Sequence, residues 1–251
     1  MRSMAVTSRT APLTKSGLVA ATLLGILAAL GGWRFLALLI AYFFPAIALS
    51  RFRKAEKDRR SHGVLEKSGA RDATQVVVNG GLFAACALVA LWGNSIFHNA
   101  MLHAALGALA ASSADTWATE IGILYGGAPV SVRTFKRVQA GTSGAVSIPG
   151  ILAMIGGAAW VGFVSSALAL STRAGIILAG GVAGALMDTL LGATVQERRY
   201  CPACNADTER RVHNCGAATT LTHGYSWMDN DFVNLLATFV GAAVAATLAT
   251  F

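Results

Sequence analysis

The stretch AGIILAGGVAGALMDTLLGATV, Ala174 to Val195, holds one ionisable side chain, Asp188, in an otherwise apolar run. Such a run reaches the roughly 20 residues that a helix needs to cross the hydrocarbon core of a bilayer. Gly180 and Gly184 stand one helical turn apart, the small-residue spacing that lets helices pack closely in lipid. Asp188 lies two turns beyond Gly180. A carboxylate at membrane depth is costly and persists where it is paired, hydrated or bound to a cation, so it marks a candidate functional site.

Six further apolar runs fall at Gly17 to Leu30, Trp33 to Leu49, Thr74 to Trp92, Phe97 to Ala111, Gly144 to Leu170 and Asp231 to Thr250. The whole chain of 251 residues is 55% hydrophobic and only 13% charged, with a mean hydropathy of +0.57. Soluble domains carry about 25% charged residues, so this surface is not built for water. The expected fold is an all-α, polytopic transmembrane bundle of about seven helices, one membrane domain over residues 1–251. The basic start, Met1 to Ser16, leads into an uncleaved first hairpin.

The net charge of +8 raises nucleic acid as a partner. The basic residues instead sit in the gaps between apolar runs, where they set topology and attract anionic headgroups, so no nucleic acid is expected. With the N-terminus in the cytoplasm, all but Arg34 and Arg173 of the 20 Lys and Arg lie inside. This predicts a multi-pass protein of the cell membrane whose long polar loops, Ser50 to Ala73, Ser112 to Ser143 and Gln196 to Asn230, are all cytoplasmic. The small-residue faces permit a homodimer.

Asp115 and Glu120 lie at the end of the fourth run, among the hydroxyls of Ser112, Ser113, Thr116 and Thr119. Five residues rotate a helix by about 140°, so a break or a helix end is needed to bring these carboxylates together. A third carboxylate, Asp188, facing the same cavity would suit Mg2+, which takes one or two carboxylates plus substrate phosphates. Downstream, Arg133, Lys136 and Arg137 precede Gly141, Thr142 and Ser143, a basic and glycine-rich turn able to face phosphate or to serve as an ordinary interfacial loop. The last run opens with Asn230, Asp231 and Asn234, which serve either as a helix cap or as cavity ligands, and Asn79 poses the same choice. His98 and His103 read as packing or interfacial residues.

Three of the four cysteines, Cys201, Cys204 and Cys215, lie in residues 196–230 together with His213. A C-x2-C knuckle followed by His and Cys is the ligand set of a Cys3His zinc site, with His223 as the alternative imidazole and redox chemistry as the alternative use. A cytoplasmic loop disfavours disulfides, which supports thiolate ligation of Zn2+.

Asn79-Gly-Gly81, the block Ala114 to Gly122, Val138 with Gly141 to Val146, Gly180 to Gly192, Gln196 and Asn230-Asp231 with Asn234 follow in an order that resembles one family. It is the integral membrane family that includes transmembrane protein 19 and the phytyl-phosphate kinases of plants and cyanobacteria. The resemblance implies a kinase that converts a prenyl monophosphate in the membrane to the diphosphate, with CTP as donor. It further implies Asp115, Glu120 and Asp188 on Mg2+, and Lys136, Thr142 and Ser143 on phosphates. Arg133, Arg137 and Gly141 would assist them, and Asn79, Asn230, Asp231 and Asn234 would complete the cavity. Two alternatives use the same carboxylates: a cytidylyltransferase joining CTP to a lipid phosphate, and an ion-coupled transporter or lipid scramblase.

Overall fold

A computed structural model describes residues 11–61, 64 and 69–251. Its helices are α1 (Lys15–Gly31), α2 (Trp33–Arg51), α3 (Lys54–Ser61), α4 (Ala73–Val89), α5 (Ser95–Tyr125), α6 (Ile148–Ala167), α7 (Ala174–Thr194) and α8 (Asn230–Ala249). Short strands β1 (Val130–Ser131) and β2 (Ala145–Val146) join α5 to α6, and β3 (Arg198–Cys201), β4 (Ala206–Thr208) and β5 (Thr220–His223) join α7 to α8. Four helices, α2, α6, α7 and α8, are long and apolar enough to cross a membrane, while α1 and α4 are shorter apolar helices of 17 residues. Arg2, Arg9 and Lys67 of the basic clusters lie outside the described residues.

The described residues form eight helices where the sequence predicts about seven. The addition is α3, whose sequence KAEKDRRS has no apolar stripe and leaves no hydropathy signal. A larger departure concerns Ser112 to Ser143, expected as a loop. Here α5 continues unbroken to Tyr125. Its 31 residues span about 46 Å at 1.5 Å per residue, more than the roughly 30 Å of a hydrocarbon core, so the helix need not end for its polar last turns to lie outside such a layer. The fifth run, expected from Gly144, becomes helical only at Ile148, because Ala145 and Val146 pair antiparallel with Ser131 and Val130. The loop from Gln196 to Asn230 carries a three-stranded antiparallel sheet in the order β4-β3-β5, so the protein is mostly rather than wholly helical.

Hydroxyl, carboxylate and amide side chains begin five of these helices. Thr14, Asp72, Asn94, Ser147 and Asp229 each accept a backbone N–H that the first turn leaves without a partner. Pro45 within α2 cannot donate to the carbonyl of Ala41, four residues earlier. The indole Nε1 of Trp160 donates to that carbonyl at 3.0 Å, which docks α6 on α2.

Small residues bring α5, α7 and α8 into backbone contact. A Cβ on Gly107 would lie 2.3 Å from the carbonyl oxygen of Gly241, and one on Gly184 would lie 2.4 Å from Cβ of Ala111 and 2.6 Å from the oxygen of Ala237. Since Ala110 meets Gly181 and Ala111 meets Gly184, α5 and α7 run in the same direction. Four residues past each member of the second contact stand Asp115 and Asp188. Ala237 packs at the same level, and α8 runs the opposite way, so Asn234 and Asn230 face these two carboxylates. The close packing therefore sets the geometry of the polar site. Gly184→Val is expected to destabilise the protein by about 1–3 kcal/mol through overpacking, read as a lowered thermal midpoint in detergent; an unchanged midpoint would contradict the close packing.

At the opposite end of the bundle, Arg34 donates to the carbonyl of Ala169 at 3.2 Å and Arg173 to that of Ala249 at 2.8 Å. His103 bonds Ser171 at 2.9 Å and the carbonyl of Asn99 at 2.8 Å, while His98 bonds the carbonyl of Ala90 at 2.6 Å. His103 is buried and packs between α5 and the turn that joins α6 to α7, whereas His98 is exposed near the start of α5.

Candidate active site

A cavity of about 310 Å³ opens at the basic end of the bundle, where α1, α4 and α8 begin and α2, α5 and α7 end. That volume lies in the range of small-molecule sites. Its wall carries Asp115, Thr116, Thr119 and Glu120 from α5, Asp188 and Thr189 from α7, Asn230 and Asn234 from α8, and Gln75 and Asn79 from α4. The loop residues Gly141, Thr142 and Ser143 close another side. Five carboxylates line it, Asp58, Asp115, Glu120, Asp188 and Glu209, beside four cations, Arg51, Lys54, Lys57 and Arg71.

Asp115 and Glu120 both reach this cavity without a break in α5. The cavity wraps around the last turns of the helix, so the angle of about 140° between the two side chains aims them at different walls. Glu120 faces α2 and α3. It accepts the hydroxyl of Ser50 at 2.7 Å and forms an ion pair with Lys57. Lys57 is buried and also donates to the carbonyls of Leu49 at 2.6 Å and Ser50 at 2.9 Å, in the last turn of α2. Asp115 reaches another wall, where Arg71 and Glu120 act on its carboxylate, while Asp115 and Glu209 act on that of Asp188. One carboxylate oxygen of Asp188, Oδ2, is buried and has no hydrogen-bond partner among the described residues.

The remaining ligand positions divide. Asp229, one residue before the expected cap, takes the N-cap of α8 by accepting the N–H of Phe232 at 2.9 Å. Asn230 and Asn234 are thereby left on the cavity wall, whereas Asp231 is buried off it. Asn79 donates to the carbonyl of Gln75 at 2.8 Å and its own carbonyl accepts Ser112 at 2.7 Å. Gly141 has φ +88° and Gly144 φ +72°; a side chain at Gly144 would meet the backbone nitrogen of Ala193 at 2.3 Å, so only glycine lets this loop lie against α7.

Arg133, Lys136 and Arg137, the basic trio expected at the phosphates, do not line the cavity. All three are exposed, and Arg133 bonds the ring of His223 at 2.8 Å. The strands β1 and β2 turn the loop so that its glycine and hydroxyl half folds inward and its basic half outward. The cations that do line the wall come from Arg51 to Arg71, a cluster whose sequence reads only as topology control. Glu209 is likewise absent from the sequence expectation, since a carboxylate beside Arg210 and Arg211 is ordinary in a polar loop. It accepts the hydroxyl of Ser143 and the amide of Gln196, the latter at 3.4 Å. Arg198 donates to the carbonyls of Ser143 at 2.6 Å and Gly192 at 2.9 Å.

Beyond the cavity, one ligand atom each from Cys201, Cys204, His213 and Cys215 lie within 4.8 Å of one another. His223 is turned away to Arg133 and to the carbonyl of Thr194, at 2.9 Å. The Cys215 thiol is drawn down to about 6, first by a hydrogen bond from the backbone of Ala217 and then by His213.

The family model described as "Integral membrane protein DUF92" matches residues 2–242. The chain belongs to this integral membrane family. Protein PGR of Arabidopsis thaliana is 28% identical over 248 residues, covering 89% of this chain and 84% of that one. An uncharacterized membrane protein of Synechocystis sp. is 31% identical over 242 residues, covering 93% and 81%. Protein VTE6, chloroplastic, of Arabidopsis thaliana is 28% identical over 247 residues, covering 95% of this chain and 66% of that one. No solved structure matches the chain significantly. Membership of this family agrees with the resemblance drawn from the sequence.

Proposed function

We propose that this family member is a prenyl-phosphate kinase, transferring the terminal phosphoryl group of CTP to a prenyl monophosphate at the cytoplasmic face of the cell membrane. The observation that carries this reading is a single cavity at the basic end of the bundle whose wall combines carboxylates from separate helices, cations and apolar side chains. Ile47, Ile123, Ile151 and Met154 supply the apolar part, and Ile151 is also exposed on the outer surface of α6. A lipid tail can thus lie against α2 and α6 while its phosphate enters the polar region.

The residues fit a divalent cation of the Mg2+ type: all donors are oxygens, and Asp188 presents a buried carboxylate oxygen without a hydrogen-bond partner among the described residues. Asp115 and Asp188 would hold it, with Asn230 and Asn234 beside them. A cation there, when bound, supplies neutralisation of charge on the phosphates. In the reaction an oxygen of the lipid phosphate forms a bond to the γ-phosphorus, the bond from that phosphorus to the bridging oxygen breaks, and CDP leaves. This chain has to position both phosphates and balance their charge, which is most of what phosphoryl transfer asks of a protein. Arg71 and the basic residues of α2 and α3 suit that task, as do the hydroxyls of Thr142 and Ser143. Glu120, held by Lys57 and Ser50, orients the floor of the site.

Purified protein incubated with prenyl monophosphates of several lengths, Mg2+ and CTP labelled at the γ or the α phosphate tests this reading. The expected product is a prenyl diphosphate that carries the γ label. Transfer of the α label would establish a cytidylyltransferase instead. The absence of both products across all chain lengths would refute lipid phosphorylation and favour transport, a reading weakened by the hydrogen-bonded Arg34 and Arg173 at the far end.

A further inference from the structure

The segment between α7 and α8 lends the cavity wall only Glu209, yet among the described residues it holds a complete set of soft metal ligands. Cys201 ends β3 and Cys204 lies in the tight turn before β4, while His213 and Cys215 come from the loop between β4 and β5. The chain makes this second half compact through a turn in which Gly216, at φ +84°, donates to the carbonyl of His213 at 2.9 Å. Sγ of Cys201 lies 3.7 Å from Sγ of Cys215, and Nδ1 of His213 lies 3.3 Å from the same sulfur. A disulfide needs about 2.05 Å, so these thiols are not joined. A tetrahedral zinc with Zn–S bonds of about 2.3 Å separates its sulfurs by about 3.8 Å, which is the spacing seen.

The cluster stands at one end of the β3–β4 hairpin, and the hairpin's other end is part of the cavity wall. Cys201 pairs with Ala206 beside the turn, and Arg199 pairs with Thr208 at the far end. One residue beyond each of these, Arg198 holds the backbone of Ser143 and Gly192, and Glu209 accepts the hydroxyl of Ser143 and lines the cavity. Strands of four, three and four residues do not hold such a register by themselves; a small sheet of this kind needs packing or a crosslink.

We propose that Cys201, Cys204, His213 and Cys215 bind one zinc ion tetrahedrally, and that this ion is a staple that keeps Arg198 and Glu209 seated against Ser143. The metal takes no part in phosphoryl transfer. Glu209 and Arg198 are positioning residues, and the stapling part of the proposal rests on the reading of the cavity as the site. Zinc is favoured over harder cations by three thiolates and one imidazole.

Elemental measurement on purified protein in detergent is expected to give about one zinc per chain. Cys204→Ser should lower it to a small fraction, and His223→Ala should leave it unchanged. Cobalt substitution should produce the charge-transfer absorption of thiolate ligation. Iron in place of zinc, a Cys201–Cys215 disulfide, or protein that takes up no zinc even when reduced and supplied with it would overturn the site. For the staple, zinc is removed from folded wild-type protein with a chelator and restored, which avoids any misfolding of the variant. Removal should make residues 196–230 several-fold more sensitive to protease, and zinc should reverse this. Any lipid kinase activity should fall and recover in parallel. Unchanged proteolysis after complete metal loss would overturn the staple while leaving the metal site standing. A protein that binds zinc, shows protection and has no kinase activity would count against the proposed function alone.

Discussion

Asp188→Asn is expected to lower turnover on a prenyl monophosphate by about 10²–10³-fold, the effect typical of removing one charged or dipolar group from a preorganised phosphoryl-transfer site. Its effect on stability should run the opposite way. Oδ2 of Asp188 is buried without a hydrogen-bond partner among the described residues, and Asp115 and Glu209 are the charges that act on this carboxylate. Without a cation, the buried Asp188 carboxylate lies beside two further carboxylates with no hydrogen bond to its Oδ2, so the neutral amide should leave the thermal midpoint of metal-free protein equal or higher. Mg2+ is expected to raise the midpoint of wild-type protein, since a ligand that binds only the folded state stabilises it. In the variant that increment should shrink. Full activity together with an undiminished Mg2+ response would refute the assignment of Asp188 to the cation.

Lys57→Met produces the second large effect, this time on folding. The ammonium group of Lys57 joins three acceptors, the carbonyls of Leu49 and Ser50 at the end of α2 and the carboxylate of Glu120 on α5. Removing it leaves a largely buried carboxylate with the Ser50 hydroxyl but no cation and uncaps a helix C-terminus, at a cost of about 3 kcal/mol. The double variant Lys57→Met with Glu120→Gln should recover part of that loss, because the charge left without its counter-ion is gone. A double-mutant cycle measured by chemical unfolding in detergent reads the coupling directly. Additive losses would show that Lys57 and Glu120 act independently and that Lys57 serves only the carbonyls of α2.

These two residues also mark where sequence reasoning succeeds and where it stops. Asp188 stands out because a carboxylate inside an apolar run is anomalous by itself, whatever surrounds it. Lys57 sits among Arg51, Arg53, Lys54, Arg59 and Arg60, where a single cation carries no distinguishing signal. Burial of that one lysine is decided by the packing of α3 beneath the ends of α2 and α5. Glu209 was hidden in the same way by its arginine neighbours. The trio Arg133, Lys136 and Arg137 shows the converse, a conspicuous motif that the β1–β2 pairing turns outward to solvent.

The membrane class, the apolar helices and the anomalous carboxylates at or within apolar runs were legible in local composition, since hydropathy and the cost of burying charge act residue by residue along the chain. So was the pairing of Cys201 with Cys204, because a C-x2-C turn holds its sulfurs near each other, whereas the choice of His213 over His223 was not. Only the tertiary structure decided that Asp115 and Glu120 meet one cavity from an unbroken helix, that Gly181 and Gly184 bring Asp188 level with Asp115, and which cations complete the wall. Those outcomes depend on contacts between residues far apart in sequence, where backbone approach at glycine and the pairing of buried charges select one arrangement from many that share the same local pattern.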